Sequence, residues 1–353
     1  MLKVRLFFLL MLGLAAPLAA QAPLPVHVGG RAIHERDGAW RFGWPGVYFE
    51  SRFRGTGVTV AVESATEYLR VSVDGAERGV LIRPGSARLT ISGLAPGDHL
   101  VRLDKLTESQ QGGGGGRFLG FLPVAGDVPL APPARARRIE FIGDSFTVGY
   151  GNASPGRTCT RAEVHDYTDT SRAFGPLVAA RLDADYRINA YSGIGVVRNY
   201  DGAMPGQSMP TLYDRLVPGD AAPVETDAAG SRPQLIVIGL GNNDFSTQLH
   251  AGEHWPDRET LRADWRSHYV AFARTLMARQ PQARLLLMGH EPFFADVALV
   301  AAELNRNAAR PVLTLQYGDL QLTGCDYHPS LADHRALADL LAGAVGRIDG
   351  LWD

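Results

Sequence analysis

Four short clusters in this chain carry side chains able to do chemistry, and three of them sit at the end of an apolar run. "RIEFIG" runs into Asp144-Ser145, with Gly149, Gly151 and Asn152 close behind. "YRINAYSG" leads into Ser192-Gly193-Ile194-Gly195, and "LIVIGLG" leads into Asn242-Asn243-Asp244. The fourth cluster, "GCDYHPS", precedes a helix-like segment and holds Asp326 and His328. Taken singly, each has an ordinary structural explanation. A serine after Gly-Asp is a favoured helix N-cap, glycines serve turns, asparagines bond their own backbone in loops, and a histidine before Pro329 suits a surface or a cap. Taken together they supply a hydroxyl nucleophile, backbone and carboxamide donors for an oxyanion, and an imidazole beside a carboxylate. Those are the parts that acyl transfer requires.

The elements that must position these clusters follow from periodicity. "PLAPPARARR", residues 129–138, is Pro-rich and basic and marks a domain boundary. Beyond it, apolar strands alternate with amphipathic helices such as "TSRAFGPLVAARLD", "ETLRADWRSHYVAFARTLMARQP", "DVALVAAELNRNA" and "SLADHRALADLLAGAVGRI". That alternation predicts a parallel sheet covered on both faces, with its chemistry at the carboxyl ends of the strands. Residues 24–131 read instead as all-β. "GVYFESRF" and "GVTVAVES" alternate with period two, "YLRVSVDGAERGVLI" reads as a hairpin on Asp-Gly, and "ARLTISGLAPGDHLVRLDKL" reads as two strands around "LAPGDH". A β-sandwich or jelly roll is expected there. The run Gly112 to Gly116 is expected to be a mobile hairpin loop. The chain is thus read as two domains, 24–131 and 135–353.

Bulk properties narrow the function classes. A formal net charge of -2 with 20% charged residues leaves no basic stripe for nucleic acid. The N-terminus, "MLKVR" followed by "LFFLLMLGLAAPLAA", has the pattern of a cleavable secretory signal within residues 1–22, cut near Ala20 or Ala22. The mature protein is therefore expected to be soluble and secreted or periplasmic, off the membrane after cleavage. In that compartment the two cysteines, Cys159 and Cys325, are expected to form a disulfide that pins two site loops, against the alternative of two buried thiols. No metal and no cofactor is expected: "HDY" at 165–167 lacks paired ligand spacing, and "GDSFTVGYG" has neither the Walker lysine nor a dinucleotide glycine pattern.

The clusters carry a resemblance. "FIGDSFTVGYGN", "AYSGIGVVRNY", "GNNDFS" and "GCDYHPS" resemble the four blocks of the SGNH (GDSL-type) hydrolases, and more closely those of carbohydrate esterase family two, exported deacetylases of plant cell-wall polysaccharide. The resemblance implies a three-layer αβα sandwich preceded by a jelly roll. It also implies removal of O-acetyl groups from a xylan- or glucomannan-type carbohydrate through an acetyl-enzyme. By position, Ser145 matches the nucleophile and His328 the base. The Ser145 N–H, the N–H of Gly193 (with Gly195 as fallback) and the Asn243 side chain match the oxyanion hole. Asp326, two residues before the histidine, matches the triad carboxylate, although some members use a backbone carbonyl there. Asp144 and Asp244 are expected to be structural. Tyr327 stands where the family commonly has tryptophan, and so is the candidate for stacking on sugar. The competing functions are a short-chain lipase or acyl-ester hydrolase of the same type, and a non-catalytic carbohydrate-binding protein on the same fold.

Overall fold

The structure, a computed structural model of the 353-residue chain, describes residues 22–109, 114–124, 126–215, 217–220, 231–306 and 308–352. Residues 1–21, where the signal was expected, and Gly112 and Gly113 of the five-glycine run lie outside the described residues. Among the described residues no helix is long and apolar enough to cross a membrane.

The C-terminal half holds a five-stranded parallel sheet of β1 (Arg137–Gly143), β2 (Ala184–Ala190), β3 (Leu235–Gly239), β4 (Arg284–His290) and β5 (Leu313–Tyr317), in the order β2-β1-β3-β4-β5. The helices are α1 (Ser145–Val148), α2 (Arg161–Tyr167), α3 (Phe174–Arg181), α4 (Met209–Leu212), α5 (Asn242–Phe245), α6 (Arg258–Arg279), α7 (Phe294–Asn305) and α8 (Leu331–Val345). Alternation along the strands shows both faces covered. Leu235, Val237, Leu286 and Met288 pack with Val178 of α3 and Leu337 and Leu341 of α8. Ile236, Ile238, Leu285 and Leu287 point the other way, into a cluster with Trp265 and Leu276 of α6 and Val297 and Val300 of α7. A strand buried on both sides must be apolar throughout, which is why these segments read as unbroken hydrophobic runs. In this strand order the connections part at the ends of β1 and β3, where open α/β sheets place their ligands.

The N-terminal half is antiparallel. Its backbone is two long paired strands, Tyr48–Ser64 and Gly85–Lys105. The segments expected as "GVYFESRF" and "GVTVAVES" are one continuous strand with a register shift between Gly55 and Gly57. The turn expected at "LAPGDH" is a bulge: Ser92 pairs with Gly57 and Gly97 with Gly55, so residues 93–96 stand out of register opposite Thr56. Such bulges bend a strand from one sheet into the next. The second half of Gly85–Lys105 lies between Tyr48–Gly55 on one side and Tyr68–Val73 on the other, while Val58–Glu63 also pair with Gly116–Pro123. Phe42, Phe49, Phe118 and Phe121 fill the core.

The two halves are firmly joined. One hydrophobic cluster runs from Phe42 and Trp44 to Ile238 and Trp265. Across the junction Arg135 pairs with Glu50 at 2.7 Å, Arg70 with Asp169 at 2.7 Å, and the Thr170 N–H donates to Leu106 O at 2.9 Å.

Candidate active site

The turn after β1 is shaped by packing. A Cβ on Gly143 would come within 2.0 Å of Thr147 Oγ1, so only glycine lets α1 fold back this tightly. The cap of α1 is Asp144, not Ser145: the buried Asp144 carboxylate accepts the Phe146 N–H at 3.0 Å. Burial lifts the Asp144 pKa to about 7 against those hydrogen bonds. Ser145 is thereby the first helical residue, and its own backbone N–H has no acceptor among the described residues.

The second and third clusters are stitched to the first by α5. Asn242 Nδ2 donates to Asp144 Oδ2 at 3.1 Å and to Tyr317 OH at 3.3 Å. Asn243 Nδ2 donates to Ile194 O at 2.8 Å, which uses one of its two hydrogens and leaves the other. The Asp244 carboxylate accepts the N–H groups of Val196, Val197 and Arg198 at 2.9–3.1 Å. Asp144 and Asp244 therefore hold loops. Gly193 sits at φ 81°, open to solvent where a Cβ would be, and its N–H has no acceptor among the described residues. Gly195 is different. Its N–H is spent on Asn199 Oδ1 at 2.9 Å, and a Cβ there would lie 2.1 Å from Arg198 O. Of the two glycines, Gly193 is the one with a free donor.

The fourth cluster closes the site. His328 Nε2 lies 2.8 Å from Ser145 Oγ. On the other side of the ring, Nδ1 lies 3.0 Å from Cys325 O and 3.2 Å from Asp326 O. A carbonyl can only accept, so Nδ1 carries the proton and Nε2 is left as the acceptor for the serine hydroxyl. Here the arrangement departs from the expected triad: the Asp326 carboxylate accepts the Tyr150 hydroxyl at 3.0 Å instead of facing the imidazole. The reason is backbone conformation. Asp326 and Tyr327 both have left-handed φ, 51° and 60°, in a turn whose Cys325 and Asp326 carbonyls face the ring while the Asp326 carboxylate meets Tyr150. Burial pushes the His328 pKa below the usual histidine value, and the carbonyl bonds partly restore it. Its ring is held between Tyr150, 4.3 Å away centroid to centroid, and Phe146, edge-on at 5.5 Å.

Cys159 and Cys325 form a disulfide with Cα atoms 5.5 Å apart, joining the loop before α2 to the histidine loop. A Cβ on Gly151 would strike Cys325 Cβ at 2.4 Å, so the chain after α1 also presses on that bridge. Further down, Ser330 and Asp333 cap α8 reciprocally and fix the exit from the loop.

Two exposed aromatic rings stand on loops beside the site. Tyr327, 66% exposed, directly precedes His328, and Arg157 covers one of its faces at 4.9 Å. Tyr200, 54% exposed, donates its N–H to Gly193 O at 2.9 Å. Sequence reasoning missed Tyr200, Tyr150 and Glu108. Tyr150 had a signal, standing inside "FTVGYGN"; Glu108 had none. Beyond the Tyr150 ring that lies on His328, a crevice of about 300 Å³ is lined by Glu108, Tyr150, Arg161, Val164, His165, Thr168 and Asp326. A larger groove of about 1120 Å³, between residues 196–214 and α6, is lined by none of Ser145, Asn243 and His328. Among the described residues no group of three or more His, Cys, Asp or Glu side chains is placed to hold a metal.

A serine hydroxyl on an imidazole acceptor, with unpaired donors on two adjoining loops, is suited to acyl transfer. Comparison with known proteins agrees. Residues 28–133 match the carbohydrate esterase 2 N-terminal family, and residues 141–342 match the GDSL-like lipase/acylhydrolase family. An acetylxylan esterase / glucomannan deacetylase of Cellvibrio japonicus is 41% identical over 94% of this chain and 93% of its own. The cellulase/esterase CelE of Acetivibrio thermocellus is 30% identical over 86% of this chain, which spans 37% of that longer protein. Among solved structures, a carbohydrate esterase described as having divergent catalytic and non-catalytic binding functions in its active site is 40% identical, with a TM-score of 0.88 over 94% of this chain and 100% of that one. A family two carbohydrate esterase of Clostridium thermocellum in complex with cellohexaose is 27% identical, with a TM-score of 0.80 over 93% of this chain and 100% of that one.

Proposed function

This chain belongs to carbohydrate esterase family 2 and is a carboxylic ester hydrolase, and from that premise we propose that it is an exported serine esterase removing O-acetyl groups from xylan- or glucomannan-type polysaccharide or its oligosaccharides. The observation that carries the mechanism is the 2.8 Å contact between Ser145 Oγ and the unprotonated Nε2 of His328. His328 takes the hydroxyl proton as Ser145 Oγ attacks the acetyl carbonyl carbon. The resulting oxyanion is met by the N–H groups of Ser145 and Gly193 and by the remaining Nδ2 hydrogen of Asn243. Donors of this kind are each worth roughly 3 kcal/mol in the transition state. The tetrahedral centre collapses, the sugar oxygen leaves with the proton from His328, and Ser145 keeps the acetyl group. Water then attacks that ester with His328 again as base, releasing acetate and restoring the serine.

The sugar class is supported by the names of the relatives and by the exposed rings of Tyr327 and Tyr200 on the two flanking loops. With one face of Tyr327 taken by Arg157, a sugar would stack on the other. Export is supported by the apolar leader and by the disulfide, a bond typical of oxidising compartments and rare in the cytosol. The test is acetate release from acetylated xylan and acetylated glucomannan, alongside 4-nitrophenyl acetate and octanoate. Turnover of the acetylated polymers and of the acetate ester, with a loss of ~10³-fold or more in Ser145→Ala, is the expected result. Preference for octanoate would favour the lipase alternative, and full activity in Ser145→Ala would overturn the mechanism.

A further inference from the structure

The β-domain sends one carboxylate into the catalytic machinery. From Lys105, the last residue of its long strand, to Ser109 the side chains alternate in direction. Lys105, Thr107 and Ser109 all turn to the buried Glu67: Lys105 Nζ lies 2.8 Å from it, Thr107 Oγ1 donates at 2.6 Å and Ser109 Oγ at 2.8 Å. The intervening residues face the catalytic domain. Leu106 is buried, and its carbonyl accepts the Thr170 N–H. Glu108, 5% exposed, reaches the loop after β2, where its Oε1 accepts the Ser192 N–H at 2.6 Å.

Ser192 is the residue before Gly193, so the bond fixes the chain one residue ahead of the peptide that presents the Gly193 N–H. Gly193 itself has left-handed φ and open space around it, so no side chain of its own holds that peptide in place. The Tyr200 N–H on Gly193 O restrains it from one side, and Glu108 restrains it from the other. Glu108 also lines a crevice with Tyr150, whose ring lies against His328.

We propose that Glu108 is a positioning residue for the oxyanion hole, through which docking of the β-domain onto the hydrolase domain sets the catalytic rate. The β-domain is then part of the catalytic apparatus as well as a wall of the cleft. This rests on the esterase mechanism above, in which Gly193 N–H meets the developing charge. A misplacement of about 1 Å in such a group costs on the order of 100-fold in rate.

The experiment compares Glu108→Ala, Glu108→Asp and Glu108→Gln with the unmutated chain on 4-nitrophenyl acetate, measuring kcat, KM and Tm, with Ser145→Ala as the blank. Glu108→Ala removes the acceptor and Glu108→Asp withdraws it by one methylene. Both are expected to lose about 10- to 100-fold in kcat with KM within about threefold. Glu108→Gln keeps an amide oxygen in place and is expected to recover most of that loss. A purely structural role would lower Tm in all three and leave kcat per folded molecule unchanged, which overturns the proposal. Equal kcat losses in Gln and Ala would also overturn it, because the acceptor would not matter. If Glu108→Ala does not fold, the Asp and Gln pair decides by the same criteria. No Ser145-dependent turnover in the unmutated chain would overturn the esterase mechanism and this proposal together, whereas normal turnover there with unchanged kcat in the Asp and Ala variants would overturn only the role of Glu108.

Discussion

Replacing Asp326 by asparagine separates two ways of orienting a catalytic histidine. Where a carboxylate holds the imidazole, its loss costs about 10⁴-fold in kcat, because the wrong tautomer is populated. In this structure the Nδ1 proton goes to the main-chain carbonyls of Cys325 and Asp326, at 3.0 and 3.2 Å, and a side-chain substitution leaves both in place. Asparagine tolerates the left-handed φ of 51° at this position better than alanine, so the loop should keep its course. What changes is the Tyr150 hydroxyl bond at 3.0 Å, from a charged acceptor to a neutral one. Charged and neutral acceptors differ by about 1 kcal/mol, and the solvent near Asp326 reduces that further. If all of it appeared in the barrier, kcat would fall about fivefold. The expected result on 4-nitrophenyl acetate is therefore a loss below about tenfold, with Tm nearly unchanged. A loss of 10³-fold or more in a folded protein would mean that the carboxylate swings onto the imidazole during turnover, and would refute carbonyl orientation.

Other consequences follow from the same geometry. Asn243→Ala removes the carboxamide donor and its bond to Ile194 O, so kcat should drop about 10²- to 10³-fold, read from initial rates; a rise in KM with kcat unchanged would exclude Asn243 from the oxyanion hole. The rate needs neutral His328, and burial lowers its pKa, so activity is retained as pH falls past 6.5 and is lost only below that value; an acid limb of kcat/KM at or above pH 6.5 would contradict this. Replacing both Cys159 and Cys325 by serine opens a link between residues 166 apart. Chain entropy sets its worth at up to ~5 kcal/mol, so Tm should fall, and kcat should fall with it because Cys325 O helps to hold His328. An unchanged Tm by calorimetry would show that the bridge is dispensable.

The parallel sheet was legible because strands buried on both faces must be written as apolar runs, and because chemistry in such a sheet collects at one edge. That logic groups Ser145, Gly193, Asn243 and His328 on one rim, and in the structure His328 reaches Ser145 and Asn243 reaches the loop of Gly193. The histidine partner of Ser145 lay within reach of sequence for the same reason: His328 precedes the last helix, which packs on the face that β1 supplies. Asp326 was not legible, since its spacing from His328 suits a carboxylate triad and the left-handed turn that redirects it leaves no mark in residue type. The "LAPGDH" segment carries true turn residues, yet the long partner strand Tyr48–Ser64 absorbs them as a bulge. Glu108 was invisible because nothing local ties it to Ser192, 84 positions later; only the docking of the two domains does.

The most direct measurement is the location of the acetyl group during turnover. Rapid acid quenching of the reaction with 4-nitrophenyl acetate, followed by peptide mass mapping, should find the acetyl on the peptide carrying Ser145, absent from the Ser145→Ala protein and persisting longer when His328 is replaced by alanine. Turnover by Ser145→Ala, or an acetyl group carried on a different residue at a rate that matches turnover, would contradict the account.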